Sequence, residues 1–105
     1  MRLETAELGR YLPLGPHTAP ADSSNAHRVQ MLMDEVDAAA AMMALAKISR
    51  DLETIERNKH NAVQAYRAAM GLILATSMAP ESYRRVRGRL VMIREWLELV
   101  GLLKE

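Results

Sequence analysis

Apolar residues recur along the chain at the three- and four-residue steps of a helix face. Residues 26–76 contain no proline, and their first glycine is Gly71. A continuous seam of apolar positions runs through this stretch for about four heptads: Leu45, Ile48, Leu52, Ile55, Ala62, Tyr66, Ala69 and Ile73. Such a seam is typical of a helix that packs along another helix. The pattern predicts one long helix from about Ala26 to Thr76, with Lys59 as the only polar interruption of its seam.

The polar middle of this stretch decides whether the helix is continuous. Asn58 and Asn61 have low helix propensity, but no glycine or proline stands beside them and the apolar spacing passes through. We therefore expect continuity, with a break near Asn58–Asn61 as the alternative. A continuous helix of about 50 residues would be ~75 Å long, against ~35 Å for the diameter of a compact chain of this length. Continuity thus predicts an oligomer, whereas a break permits a monomeric three-helix bundle.

A second helix is predicted from about Pro80 to Leu103. Proline suits the first helical turn, and the short connection at 76–80 predicts that this helix folds back as an antiparallel hairpin. Two apolar stripes lie side by side on it: Tyr83, Val86, Leu90, Ile93, Leu97 and Val100 in one, and Gly88, Met92, Trp96, Leu99 and Leu103 in the other. One stripe can pack on the long helix, which leaves the other for a second subunit.

The remaining region, residues 1–24, is predicted to be a largely irregular arm that precedes a helical hairpin domain at 25–105. Residues 2–12 form at most a short helix with one apolar side, made by Leu3, Leu8, Tyr11 and Leu12. Pro13, Gly15, Pro16 and Pro20 then disfavour regular structure. The good N-cap residues at 22–25 predict where the long helix begins. We expect the arm to lie on its own bundle or to be partly disordered, with attachment to a partner subunit as the alternative.

Composition agrees with an all-α fold. Hydrophobic residues make up 50% of the chain, with eight Met, no Phe and a large share of Ala and Leu. Ala, Leu and Met are strong helix formers, whereas the residues that favour sheets are scarce. A chain of 105 residues is enough for one domain. Without cysteine it has no disulfide framework, thiolate metal site or cysteine nucleophile.

Two features predict a soluble, cytoplasmic protein that does not enter a membrane. The longest stretch without charge, residues 68–80, is shorter than the ~20 apolar residues of a membrane-spanning helix. Glu4, Glu7 and Arg10 interrupt the region in which a signal peptide would need an unbroken apolar segment.

No group of residues predicts catalysis, a metal site or a cofactor. Glu56 and His60 share one helical face, but the Glu-x-x-His pairs of di-iron bundles are missing. The chain also has no phosphate-binding glycine loop and no nucleotide fingerprint. We therefore expect a protein that is not an enzyme and needs no cofactor.

Charge is balanced overall, at a formal +1, but it is distributed unevenly. Residues 82–94 carry no acid and five arginines: Arg84, Arg85, Arg87, Arg89 and Arg94. Guanidinium groups in such an array can contact nucleic-acid phosphates. The favoured interpretation is that they pair with acids of the long helix, such as Asp51, Glu53 and Glu56, because those acids belong to the same chain.

The apolar segment AAAAMMALA, residues 38–46, completes the prediction. A helix that is apolar all round requires burial on more than one side. We therefore predict a homodimeric helical bundle whose interface includes Met42, Met43, Leu45, Met92, Trp96, Leu99 and Leu103. The expected function is a non-catalytic protein–protein interaction or assembly module, such as an adaptor, a chaperone-like protein or a small regulator. The alternative is a small nucleic-acid-binding regulator that uses the surface from Arg84 to Arg94.

Overall fold

A computed structural model of the chain describes residues 24–103 and shows three helices in that part. They are α1 (Asn25–Ile48), α2 (Leu52–Leu74) and α3 (Pro80–Leu99). No strand occurs within residues 24–103, so the all-α class is confirmed. The predicted arm, apart from Ser24, and the last two residues lie outside the described part of the chain.

The predicted continuous helix over 26–76 is wrong, because the chain leaves helical geometry between α1 and α2. Ser49 has φ −72° and ψ 147°, and Asp51 has φ −93° and ψ 118°. The Asp51 carboxylate then accepts hydrogen bonds from the Thr54 backbone N–H at 2.9 Å and from its hydroxyl at 2.5 Å. Aspartate at an N-cap satisfies a free N–H of the new helix, which favours a fresh start over continuation.

The alternative break near Asn58–Asn61 does not occur either. Both asparagines lie inside α2, which is helical throughout this part. The Asn58 side-chain amide donates to the Thr54 carbonyl one turn earlier, at 3.0 Å. This bond along the helix satisfies a polar group that would otherwise favour a turn.

The break lets α2 fold back along α1, and α3 packs against both. The contact between α1 and α2 is the most extensive of the three helix pairs. The Asn25 side chain, at the start of α1, donates to the Ser77 carbonyl at 3.0 Å and accepts from the Ser77 N–H at 2.8 Å. Since Ser77 follows α2, the two helices are antiparallel. Arg89 and Asp37, joined at 2.8 Å, connect the middle of α3 to the middle of α1.

The core lies where the three helices meet. The first predicted stripe of the last helix is buried along α3, from Tyr83 to Leu97, and the seam of α2 is buried from Ala62 to Ile73. The α1 contribution consists of Leu32, Val36, Ala39 and Ala46. Leu45, Ile48 and Leu52 belong to the predicted seam but are 49%, 75% and 72% exposed. They flank the break, where the reversal of the chain takes the seam away from the core.

The third helix begins at Pro80 as predicted and ends at Leu99, four residues before the predicted end. Gly101 has φ +83°, a left-handed conformation that favours glycine. The Leu102 N–H donates to the Leu97 carbonyl at 2.9 Å across this turn. Such a Schellman motif stops a helix and directs the following apolar residue back to the core. Leu102 accordingly packs partly buried against the core.

We expect Asp51→Ala to lower the melting temperature at pH 7, because it removes both hydrogen bonds that begin α2. Asp51→Asn keeps a capping oxygen and should lose much less. The Thr54 hydrogen bonds lower the pKa of the Asp51 carboxyl below its ordinary value of 3.8. Its stabilisation is therefore complete at neutral pH and is lost as the pH falls from about 4 through the lowered pKa.

Circular dichroism melts at neutral and strongly acidic pH measure this effect. The difference in melting temperature between the natural chain and Asp51→Ala should be clear at pH 7 and should shrink in acid. An unchanged melting temperature for Asp51→Ala at pH 7 would contradict the assigned role of the cap.

Candidate interaction groove between the first and third helices

A groove runs along the surface between α1 and α3, which are parallel to each other. It contains two larger hollows and a small middle part between them, which shares Met43 and Met92 with the C-terminal hollow only. The N-terminal hollow, about 270 Å³, is lined by Val29, Met33, Met78, Ser82, Arg85 and Val86. The C-terminal hollow, about 290 Å³, is lined by Met43, Lys47, Met92, Glu95, Trp96 and Leu99. The middle part, about 50 Å³, includes Ala40, Met43, Arg89, Met92 and Ile93.

The C-terminal hollow combines exposed apolar side chains with one charge on each helix. Met92 is 60% exposed and Leu99 is 83% exposed, while Trp96 is buried at 9%. The cation, Lys47, comes from α1, and the anion, Glu95, comes from α3. Methionine adapts to irregular apolar partners, and grouped exposed apolar side chains mark interaction sites. The hollow therefore has the chemistry of a protein-binding surface.

Four of the seven predicted interface residues meet in the C-terminal hollow: Met43, Met92, Trp96 and Leu99. Met42 lies instead beside Ala65 in a depression between α1 and α2. Leu45 is exposed outside this hollow, and Leu103 packs partly buried against the core. The periodic pattern identified the apolar stripes, but it could not determine which stripes of separate helices would face each other.

The end of the bundle beside the C-terminal hollow adds further apolar surface. The last turn of α1, the first turn of α2 and the last turn of α3 all lie at this end, because α2 is antiparallel to its two neighbours. Ile48 and Leu52 are both largely exposed there, on the two sides of the break. The same end of the molecule therefore presents apolar side chains from all three helices.

Arg89 and Arg94 of α3 pair with acids within residues 24–103. Arg89 pairs with Asp37 of α1 at 2.8 Å. Arg94 is only 6% exposed, its Nε lies 3.2 Å from the Glu98 carboxylate, and its Nη1 donates to the Tyr66 hydroxyl at 3.1 Å. Buried charges require such partners, so Arg94 belongs to the packing between α2 and α3.

The other three arginines differ in exposure. Arg87 is half-buried and hydrogen-bonded to Tyr83, whose pKa is raised by burial although Arg87 opposes the shift. Arg84 and Arg85 are exposed. Within residues 24–103, neither forms an ion pair with a carboxylate. These two guanidinium groups are therefore available to an external anion.

The acids that the sequence suggested as partners for the arginines have other roles. Glu53 lies 4.0 Å from Arg57, and Glu56 lies 2.9 Å from Lys59, each within α2. Asp51 caps the same helix. Pairing within the chain does engage Arg89 and Arg94, but through Asp37 and Glu98, which sequence reasoning did not identify.

Within residues 24–103, no three His, Asp or Glu side chains are grouped so that they could hold a metal ion. In the same residues, each helix is too short or too polar to cross a bilayer. No protein-family model, curated protein or solved structure matches the chain. The function is therefore inferred from the geometry of the three-helix bundle and its groove.

Arg94→Ala should destabilise the bundle by about 2 kcal/mol, because it removes charge-assisted hydrogen bonds and leaves buried polar atoms without a partner. The matched control is Arg84→Ala, an exposed site on the same helix, whose effect should stay within about 0.5 kcal/mol. Urea unfolding followed by circular dichroism measures both values. Equal effects for the two variants would contradict the structural role of Arg94.

Proposed function

We propose that this chain is a non-catalytic assembly module that pairs with a second copy of itself through the C-terminal hollow and thereby presents a larger helical surface to another protein. The observation that carries the proposal is the exposure of Met92 and Leu99, 60% and 83%, beside the indole of Trp96. Aromatic and methionine side chains are enriched at the centres of protein interfaces.

Charge favours a second copy as the occupant. The hollow carries a cation on α1, Lys47, and an anion on α3, Glu95. In a two-fold symmetric pair, any contact between one residue of the first chain and a different residue of the second chain occurs twice. Lys47 of each chain can therefore face Glu95 of the other. A patch with one charge of each sign is self-complementary in this arrangement.

Size is compatible with a modest interface. The 20 residues of α3 make a helix ~30 Å long. The C-terminal hollow takes up only Met92–Leu99 of this helix and the facing turns of α1, a face on the order of 200 Å², against ~800 Å² per partner in a standard interface. The apolar end of the bundle, with Ile48 and Leu52, can supply additional area.

The pairing should be reversible, with a folded monomer. The break at Ser49–Asp51 allows the chain to bury its own core, so we expect it to fold without a second chain. This differs from the obligate dimer that a continuous helix would require. We therefore expect the average mass to rise with concentration between that of one chain, 11.8 kDa, and twice that value.

Met92→Glu should abolish the concentration dependence of mass, because it places a carboxylate in the centre of the apolar surface. Met31→Glu is the matched control: Met31 is also exposed, at 41%, but lies outside the C-terminal hollow. Light scattering on a sizing column at low and high protein concentration measures the mass. A natural chain that stays at 11.8 kDa at all concentrations would refute self-association, and a dimeric Met92→Glu variant would refute this interface.

A charge exchange tests the two-fold arrangement. Lys47→Glu and Glu95→Lys should each weaken self-association, because each creates two like-charge contacts. A mixture of the two variants should recover it, because the mixed pair restores an opposite charge at both contacts. Isothermal dilution calorimetry of each variant and of the mixture provides the measurement. No recovery in the mixture would contradict the two-fold pairing of these residues.

A second candidate function, a small nucleic-acid-binding regulator, is favoured by one observation, the two exposed arginines Arg84 and Arg85. Two phosphate contacts predict a slope of log affinity against log salt near −2 on duplex DNA, about −0.9 for each phosphate. Replacing both by Ala should remove the binding, whereas replacing Arg50 and Arg67, exposed on other parts of the bundle, should not. Binding that is equally weak in both double variants would exclude this surface.

A further inference from the structure

The N-terminal hollow lies between the first turns of α1 and α3, at the opposite end of the groove from the C-terminal hollow. Its lining is mainly apolar, with Val29, Met33 and Met78 as the larger side chains and Arg85 as the charged one. Its volume of about 270 Å³ lies just below the ~300 Å³ at which small-molecule pockets begin. The hollow is therefore suited to a few side chains of a peptide segment with an adjacent acid.

The chain enters the bundle at the rim of this hollow. Asn25, the first residue of α1, is held to the backbone of Ser77 by two hydrogen bonds, at 3.0 and 2.8 Å. The next residue, Met78, lines the hollow. The described part of the chain therefore begins beside this surface.

We infer that the N-terminal hollow binds the N-terminal arm of its own chain. The arm supplies the required chemistry: an apolar group, Leu8, Tyr11 and Leu12, with Glu7 next to it in sequence. Glu7 complements Arg85, which has no carboxylate partner within residues 24–103. In this arrangement the apolar side chains would fill the hollow, and the Glu7 carboxylate would pair with the Arg85 guanidinium group at its edge.

Tether length favours the chain's own arm over that of a second copy. Residues 13–23 can span up to ~36 Å when extended, whereas Met33 is only ~12 Å from Asn25 along the axis of α1. A short tether gives an effective concentration in the millimolar range. A separate chain at micromolar concentration competes poorly with it.

An engineered disulfide in the full-length chain tests the inference, since the natural sequence contains no cysteine. Leu12→Cys is combined with Ser82→Cys, at an exposed position in the hollow. The control combines Leu12→Cys with Gln30→Cys, exposed on α1 and outside the hollow; Gln30 is five residues from Asn25, as Ser82 is five residues from Ser77, the partner of Asn25. Equilibration in a glutathione buffer gives the effective concentration of each thiol pair.

We expect the effective concentration of the Leu12→Cys/Ser82→Cys pair to exceed that of the control at least tenfold. Glu7→Lys or Arg85→Glu alone should reduce it several-fold, and the two together should restore it. Equal values for the two cysteine pairs would overturn the inference. Disulfides formed mainly between two chains would also overturn it, in favour of an exchanged arm.

This inference does not depend on the proposed self-association, and the same cysteine pair separates the two. Adding Met92→Glu, which disrupts the C-terminal hollow, should leave the effective concentration of the Leu12→Cys/Ser82→Cys pair unchanged. A chain that is monomeric but still shows the tenfold preference would refute the proposed pairing alone. A dimer without the preference would refute the docking of the arm alone.

Discussion

The fold depends on the interruption at Ser49–Asp51, where the backbone leaves helical geometry. The hydrogen bonds that the Asp51 carboxylate accepts from Thr54 are modest, but they favour the start of the second helix at this point. Without that interruption the apolar seam would continue along a rod too long for this chain to cover. With it, the second half of the seam turns back on the first, and apolar burial between antiparallel helices supplies the main driving force for folding.

The reversal also explains why apolar surface remains exposed. The segment at 38–46 is apolar on all sides, yet only Ala39 and Ala46 are buried, because a helix in a three-helix bundle has two neighbours and one open face. Met43 of α1 and Met92 of α3 line the same part of the groove from its two sides. The same composition that would complete a larger assembly therefore leaves an accessible groove in the single chain.

The sequence predicted the type of structure better than its connectivity. The three-four spacing of α3 correctly identified a buried stripe from Tyr83 to Leu97, since this helix has an uninterrupted period and a proline at its start. The break was missed because Ser49 and Asp51 lie in a stretch whose apolar period continues across them, and a capping aspartate is a weaker signal than glycine or proline. The spacing of Asp51 and Thr54, three residues apart, is nevertheless typical of a helix N-terminus and could have been recognised in the sequence.

The residues of the candidate site were harder to predict from the sequence than the helices. Met92, Trp96 and Leu99 could be grouped because they share one stripe of one helix. Met78, which lines the N-terminal hollow, lies in a connection with no period at all. The opposite charges Lys47 and Glu95 become neighbours of one hollow only through the packing of α1 against α3, which spacing along one helix does not specify.

Because of the order of the helices, the groove exists only when all three helices are packed together. Its two walls, α1 and α3, are separated in sequence by the entire length of α2, so a pair made of α1 and α2 alone has no groove. A molecule that binds in the groove therefore binds only chains in which α3 has packed against α1. Because it does not bind partly folded forms, it stabilises the complete bundle relative to them. Assembly through this surface would therefore select for correctly finished chains.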